Sequence, residues 1–529
     1  MKKRNVRITL LALFLAIGIA LYFVGRSFIF SRLEKAIVAQ LDSLRQKGAL
    51  VKYRSLETNS WKRSLVIEGL EVRFDHSDSL CFTTATLGKI EVRGISLLPL
   101  LLQHELDLDE VFMDHPAVRA MNNFRVPGWR NEKVKIKSLS GIRVGFLRID
   151  SGDVQIIDSA SCGSFIHLQL NADSRNMSAH LVNDDSSTWA IREITIDRLR
   201  AGFPTHFYDM TVKQVVYSDN EKVLHVDSAV ILPMYNRAEF AKRAGRQVDQ
   251  FTVTVPLIHA TGFEIGKLLP SFAAHHVDLR FRLDAFRDKR IPRKKRKPSI
   301  LPVNFLKQLS FRLQIDSLTL SDSYAAYEEF PETGDAPGKI FFNGLHGGIS
   351  NISNRSSQGA TMSVASRFMN AGDLAAYFTF PVEAKGPYAV KGSLTNFSMP
   401  EINSMLVPVA HVEIEKGKMQ SMKFQFQYNE YRSDGNVELS YTDLKLRSFK
   451  KNPEKSENKL ISFIINMFVK DDLDKSDTKA ERTGSIGFLR NDQRGILNYW
   501  WKSVFSGVKS VYQGKTDGKD KKRKQKTNS

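Results

Sequence analysis

The sequence predicts a mainly β protein held to a membrane: an N-terminal transmembrane helix, a long antiparallel β body with few short helices, and a C-terminal amphipathic helix. Three observations predict it. Apolar and polar residues alternate through much of the chain from Tyr53 to Leu446, the period of strands with one apolar and one wet face. One long apolar run, residues 8–24, stands near the amino terminus. An apolar stripe at helical spacing, from Ile496 to Tyr512, stands near the carboxyl end.

Residues 1–47 read as a signal anchor with a helical extension. The run 8–24 has seventeen residues, the lower limit for a spanning helix, and residues 25–30 extend it if Arg26 snorkels to the interface. Lys2, Lys3, Arg4 and Arg7 precede it, which keeps the amino terminus in the cytoplasm and exports the rest. A cleaved signal peptide would need a small-x-small site, and residues 22–27 offer a poor one. Leu33, Ile37, Leu41 and Leu44 continue at helical spacing towards Gly48.

The β body is expected over 48–286 and 301–447, with a basic loop at 287–300 between the two parts. Phe251, Val253, Val255 and Leu257 alternate with polar residues and Pro256, and Val277, Leu279, Phe281 and Leu283 alternate with Asp and Arg. Phe311, Leu313 and Ile315 follow the same period, as do Met422, Phe424, Phe426 and Tyr428. Ser151-Gly152, Glu332-Thr333-Gly334 and Asp434-Gly435 read as turns. Short helices are expected at 97–102, 236–245, 262–274, 373–377 and 402–407. The alternation fits a closed sandwich core, and it fits equally a curved sheet whose apolar face stays open as a groove.

Residues 448–483 form a charged linker holding a ten-residue apolar segment, 460–469, too short to span a bilayer. Residues 484–513 hold the amphipathic helix, and 514–529 a basic disordered tail. Trp500, Trp501 and Phe505 with Lys502 and Lys509 suit a membrane interface; the same stripe would equally serve a helix plugging the end of the sheet.

Composition narrows the function. The chain has 529 residues, 42% apolar and 25% charged, which excludes a wholly disordered chain, a collagen and a disulfide-knit miniprotein. Mean hydropathy of −0.27 with a single long apolar run excludes a multi-span membrane protein. The net charge of +20 is local: segments 1–35, 287–297 and 515–529 carry +18 of it. A nucleic-acid surface spreads its cations over a folded face, so no nucleic-acid partner is expected; the pattern suits anionic lipid or solubilising tails. Cys81 and Cys162 fit no metal or redox motif, and a disulfide between them stays open. No HExxH, GxSxG, Walker A or dinucleotide fingerprint occurs, and His275-His276 on a strand point to opposite faces. No cofactor, metal or catalytic residue is expected, and the chain does not read as an enzyme.

Three patches carry a family resemblance. Residues 87–118, with Gly94-Ile95-Ser96 opening the Leu-rich turn 97–102 and Pro116 closing a strand, resemble the opening module of the AsmA family. Residues 146–158 resemble its recurrent strand-Gly-strand unit, and residues 488–503 the ending of AsmA-like proteins in the Bacteroidetes. The resemblance, shared with TamB-type proteins, implies a single-pass inner-membrane anchor with the bulk in the periplasm. It implies an elongated, curved, groove-like β-sheet that carries phospholipid acyl chains in support of outer-membrane lipid homeostasis. On that reading Phe251, Val253, Val255, Leu279, Phe281, Leu283, Phe311, Leu313, Ile315, Phe424, Phe426 and Tyr428 would line the groove. The C-terminal helix would meet the outer membrane, an envelope partner or its own sheet. The competing class is a scaffold or assembly factor for outer-membrane proteins, capturing clients by strand addition at an open edge.

Overall fold

The computed structural model describes residue 27 and residues 30–75, 82–122, 140–158, 162–180, 188–266, 271–292, 298–356, 358–381, 386–448 and 482–513. The expected spanning run 8–24, Cys81, residues 293–297, most of the linker and the tail 514–529 lie outside the described residues. No described helix is long and apolar enough to cross a membrane. The protein is mainly β, with twenty-two strands among the described residues, and it divides into two compact units, Met1–Ala229 with Gly266–Leu268, and Val230–Ile265 with Leu269–Ser529.

The first unit opens with α1, residues 30–46. Its stripe of Phe30, Leu33, Ile37 and Leu41 packs on Leu65, Ile67, Val92 and Leu108 near its start and on Val51 and Phe74 near its end. Below it, β1 (Ala49–Lys52) and β2 (Ser55–Asn59) both pair with β3 (Ser64–Asp75), which pairs with β4 (Phe82–Arg93). The short α2 (Leu97–Leu102) leads into β5 (Glu105–Asp114) and β6 (Ala117–Met121), both set between β4 and β7 (Gly141–Ile157). Then β8 (Ser164–His180), β9 (Thr188–Phe203) and β10 (Tyr208–Ser218) meander antiparallel, and β11 (Val223–Pro233) follows. Cys162 is disulfide-bonded, and Cys81 is the chain's other cysteine.

The second unit carries α3 (Arg237–Ala244), β12 (Asp249–Thr261), β13 (Glu264–Ile265) and β14 (Ser271–Asp288). Asn236 caps α3 by accepting from the Glu239 N–H, and Gly245 closes it at φ 62°. After α4 (Pro302–Lys307) come β15 (Arg312–Phe330), β16 (Gly338–Ser353), β17 (Ala360–Phe368), β18 (Gly372–Phe380) and β19 (Tyr388–Ser398). Helix α5 (Asn403–Ala410) precedes β20 (Val412–Tyr428), β21 (Arg432–Ser448), β22 (Arg482–Leu489) and α6 (Ile496–Gln513).

Three expectations are corrected. The sheet is not wholly antiparallel: β5 and β6 run parallel to β7, and β14 parallel to β15. Parallel neighbours need a crossover of a dozen or more residues. The segments after β6 and β14 supply that length, so the basic loop is the crossover to β15; Arg287 and Asp288 belong to β14. Ser151-Gly152 and Asp434-Gly435 lie inside β7 and β21, whereas Glu332-Thr333-Gly334 does join two strands. Residues 373–377 are strand, and so are most described residues of 262–274; paired neighbours on both sides outweigh weak local helix preference.

Of the interior turn residues, Ser151 belongs to a bulge: Asp150 and Ser151 stand where β8 has Asn171 alone. The ladders of β5, β7 and β8 skip one residue each at Asp109, Gly145 and Asn176, the last at φ 52°, and Gly94, just past the end of β4, has φ 70°. A Cβ on Gly94 would sit 1.9 Å from Asp109 Oδ2, so the approach and the positive φ both require glycine. Ser151 and Arg198, at φ 55° and 54°, lie at register shifts of β7 and β9, and His115, at φ 48°, links β5 to β6. A residue skipped in the ladder switches which side of the strand the following side chains take. Leu106 and Leu108 therefore join Val111 and Met113 in one cluster, although strict alternation would place them on opposite faces.

Candidate functional site

One face of β7–β10 is apolar and wet at once. Across these strands Ile149 lies opposite Ala172, Ala172 opposite Ile196, and Ile196 opposite Val215. The next row runs Val154, Leu168, Ala201, Met210. Directly opposed residues share a face, so the rows form a continuous lining. Ile149, Leu168, Ile194 and Ile196 are only half-buried, and Trp189 is 38% exposed. Among the described residues no helix makes an extensive contact with β9 or β10. The opposite face is polar: Arg148 pairs with both Asp173 oxygens at 2.9 and 3.0 Å, His167 with Asp153 at 2.7 Å, and Gln214 donates to Asp197 at 2.8 Å.

The second unit repeats the arrangement and then closes it. Val253 faces Leu283, Leu283 faces Ala325, and Ala325 faces Phe342. A second row carries Ile258, Leu279 and Leu320. Phe281 alternates with Leu279 and Leu283, and its N–H donates to Ser323 Oγ at 2.9 Å. Phe251 is 39% exposed opposite Ala285. Val255 and Pro256 together stand opposite Phe281 in a bulge, after which Leu257 pairs with Arg280. The run of four alternating apolar residues therefore breaks at Pro256. Phe311 stands just before β15, edge-on to Phe272 at 5.3 Å. Leu313 lies opposite Phe272, and Ile315 opposite Ala274 and Ile352. Asp316, bonded to His275 at 3.0 Å, separates these two from Leu318 and Leu320.

Phe424, Phe426 and Tyr428 have a different environment. Phe426 and Tyr428 are 3% exposed in the core beneath α6, and Phe424 packs over Gly392, where a Cβ would lie 2.5 Å from its ring. Their apolar surface is already covered by protein. Helix α6 docks by close approach: a Cβ on Gly507 would meet Ile486 and Val437 at 2.7 Å. Ser503 and Ser433, both fully buried, share a hydrogen bond of 2.7 Å at this contact.

The expected interface residues are divided by that docking. Trp500 stacks obliquely on Phe378 at 4.5 Å and meets Tyr428 edge-on at 6.3 Å. Trp501 is 47% exposed beside Phe505, while Phe505 also packs on the core. Lys509 is half-buried. Lys502 is held below the ordinary lysine range by burial, with the Lys289 charge adding to the effect and Glu329 opposing it. Lys289 pairs with Glu329, which accepts from the Tyr327 hydroxyl at 2.8 Å, and Arg287 grips Asp249 with two contacts of 2.5 Å. Burial works against the Arg287 charge, but the Asp249 carboxylate more than restores it. Burial also pushes the Tyr388 and Tyr499 hydroxyls up to about 12.

Helix side chains occupy the strand edges at both chain ends. The Arg45 guanidinium donates to the Val51 carbonyl at 3.1 and 3.3 Å. The N–H groups of Ser485 and Gly487 donate to Ser510 Oγ and Ser506 Oγ of α6 at 3.1 and 3.2 Å. An edge whose groups are occupied is a poor template for another strand. Among the described residues no group of three or more His, Cys, Asp or Glu is placed to hold a metal ion.

The sequence reading named no lining residue between 140 and 217. The signal was there: Ile194 and Ile196 alternate with Glu193, Thr195 and Asp197. No family model, curated protein or solved structure matches the chain.

Proposed function

We propose that this chain is a membrane-anchored, periplasmic lipid-binding and transfer protein, without enzymatic activity, that shelters phospholipid acyl chains on the open apolar face of its sheet. The observation that carries the reading is the half-buried apolar ladder on β7–β10, backed by a face of polar side-chain pairs. Such a face is costly in water, and each methylene laid against it gains ~0.8 kcal/mol. The charged headgroup needs no protein partner, because it remains in solvent at the open side. The anchor rests on the run 8–24 and its basic flank. A disulfide at Cys162 suits an exported, oxidising compartment. Support for outer-membrane lipid homeostasis is the role these features serve.

The scaffold reading requires a free strand edge. Arg45 at β1 and the α6 serines at β22 work against it. The test is mass spectrometry of lipid retained by the full chain after extraction and purification without detergent. Stoichiometric phospholipid is expected; a folded, lipid-free protein that retains outer-membrane protein precursors would replace this reading with the scaffold.

A further inference from the structure

The first unit carries a second apolar surface, separate from the open sheet face. Trp61, Leu98 and Leu102 are 73%, 69% and 74% exposed, the most exposed large apolar side chains described in that unit. The turn that carries Trp61 is tied to the start of α2. Trp61 sits in the turn between β2 and β3, and the Ile95 N–H donates to the Arg63 carbonyl of that turn at 3.0 Å, two residues before α2 begins. Leu98 and Leu102 are four apart on α2 and so share a side of it, while Leu97 turns inward onto the core. Lys62, exposed, flanks the group.

What covers this surface follows from where the chain enters. Phe30, 2% exposed, and Ile95, 2% exposed, belong to one cluster that Leu97 also joins. The apolar run 8–24 ends six residues before Phe30, and six residues reach at most ~21 Å. The six-residue tether thus keeps residue 24 within about two helix widths of Phe30, whose cluster includes Leu97 of α2. Tryptophan, leucine and an adjacent lysine are the side chains that settle at the boundary of headgroups and acyl chains.

We propose that Trp61, Leu98 and Leu102 form a membrane-interface foot, which rests on the same bilayer that the run 8–24 spans and fixes the orientation of the first unit above it. This inference rests on the proposed anchor and is independent of lipid binding by the sheet.

The test uses the full chain reconstituted in phosphatidylethanolamine–phosphatidylglycerol vesicles whose acyl chains carry bromine at a shallow or a deep position. Tryptophan emission is compared between wild type and Trp61→Phe. The expected result is a clear loss of quenching in Trp61→Phe, with shallow bromine the stronger quencher of the Trp61 component. In Leu98→Glu/Leu102→Glu that component should fall at least twofold while the protein stays in the carbonate-washed membrane pellet. Equal quenching of wild type and Trp61→Phe in carbonate-resistant protein would overturn the foot and leave the anchor standing, as it would if a partner protein were the true occupant. Release of wild type by carbonate would overturn the anchor, and the foot with it.

Discussion

Replacing Ile149 and Ile196 together by glutamate separates an open lipid-binding face from a closed core. Both side chains are half-buried on the apolar face, on β7 and β9, with Ala172 of β8 between them. If each position shelters about two methylenes, a carboxylate there forfeits ~1.6 kcal/mol, or roughly 15-fold in retention. The two sites are about 10 Å apart, twice the strand spacing, so their effects add to ~3 kcal/mol and more than 100-fold. Neither side chain is deeply packed, so the cost in stability should stay near 1 kcal/mol per site. The assay is phospholipid per protein after detergent-free purification, read beside the urea midpoint. A variant that unfolds at nearly the wild-type urea concentration but has lost its lipid is expected. A folded variant with a full complement of phospholipid would refute the assignment of this face.

Phe426→Ala should do the reverse: it opens a cavity beneath α6, costs about 3–5 kcal/mol, and lowers the urea midpoint while leaving lipid on the first unit unchanged. Gly507→Leu places a side chain against Val437 and Ile486, so α6 should lift; limited proteolysis between β22 and α6 reads this as faster cleavage than in wild type. Glu328 is held below its ordinary value of 4.5: burial raises it, but the hydrogen bond from Arg237 and the Lys339 charge outweigh burial. Its folded pKa is depressed, so its stabilisation is full above about pH 4.5 and is lost as pH falls through the folded value. Glu328→Gln should therefore unfold about 1 kcal/mol more easily at pH 7, and the gap should shrink below pH 4.5 in urea titrations.

Period-two alternation located β12, β14, β15 and β20, and the helical stripe of α1 and α6 was legible because burial on one side imposes it. Turn-like pairs inside a strand were not. Ser151-Gly152 and Asp434-Gly435 carry the composition of a turn, and only the neighbouring strands decide that the chain runs on. Nor does alternation reveal what lies above a face. Val253 and Phe426 belong to the same pattern, yet Val253 is half-buried while Phe426 is roofed by α6, because the helix contributes Tyr499 and Trp500 from about seventy residues downstream. The division of Trp500 from Trp501 follows from that docking: adjacent helical positions point about 100° apart, and only one can meet Phe378.

The most direct measurement is photo-crosslinking in living cells from a photoreactive residue at Ile194 or Ile196 on the apolar face and at Asp197 or Arg200 on the polar face, with the adducts identified by mass spectrometry. Phospholipid adducts confined to the apolar positions are the expected result. Protein adducts at those positions, or lipid captured equally from both faces, would contradict an acyl-chain path along the sheet.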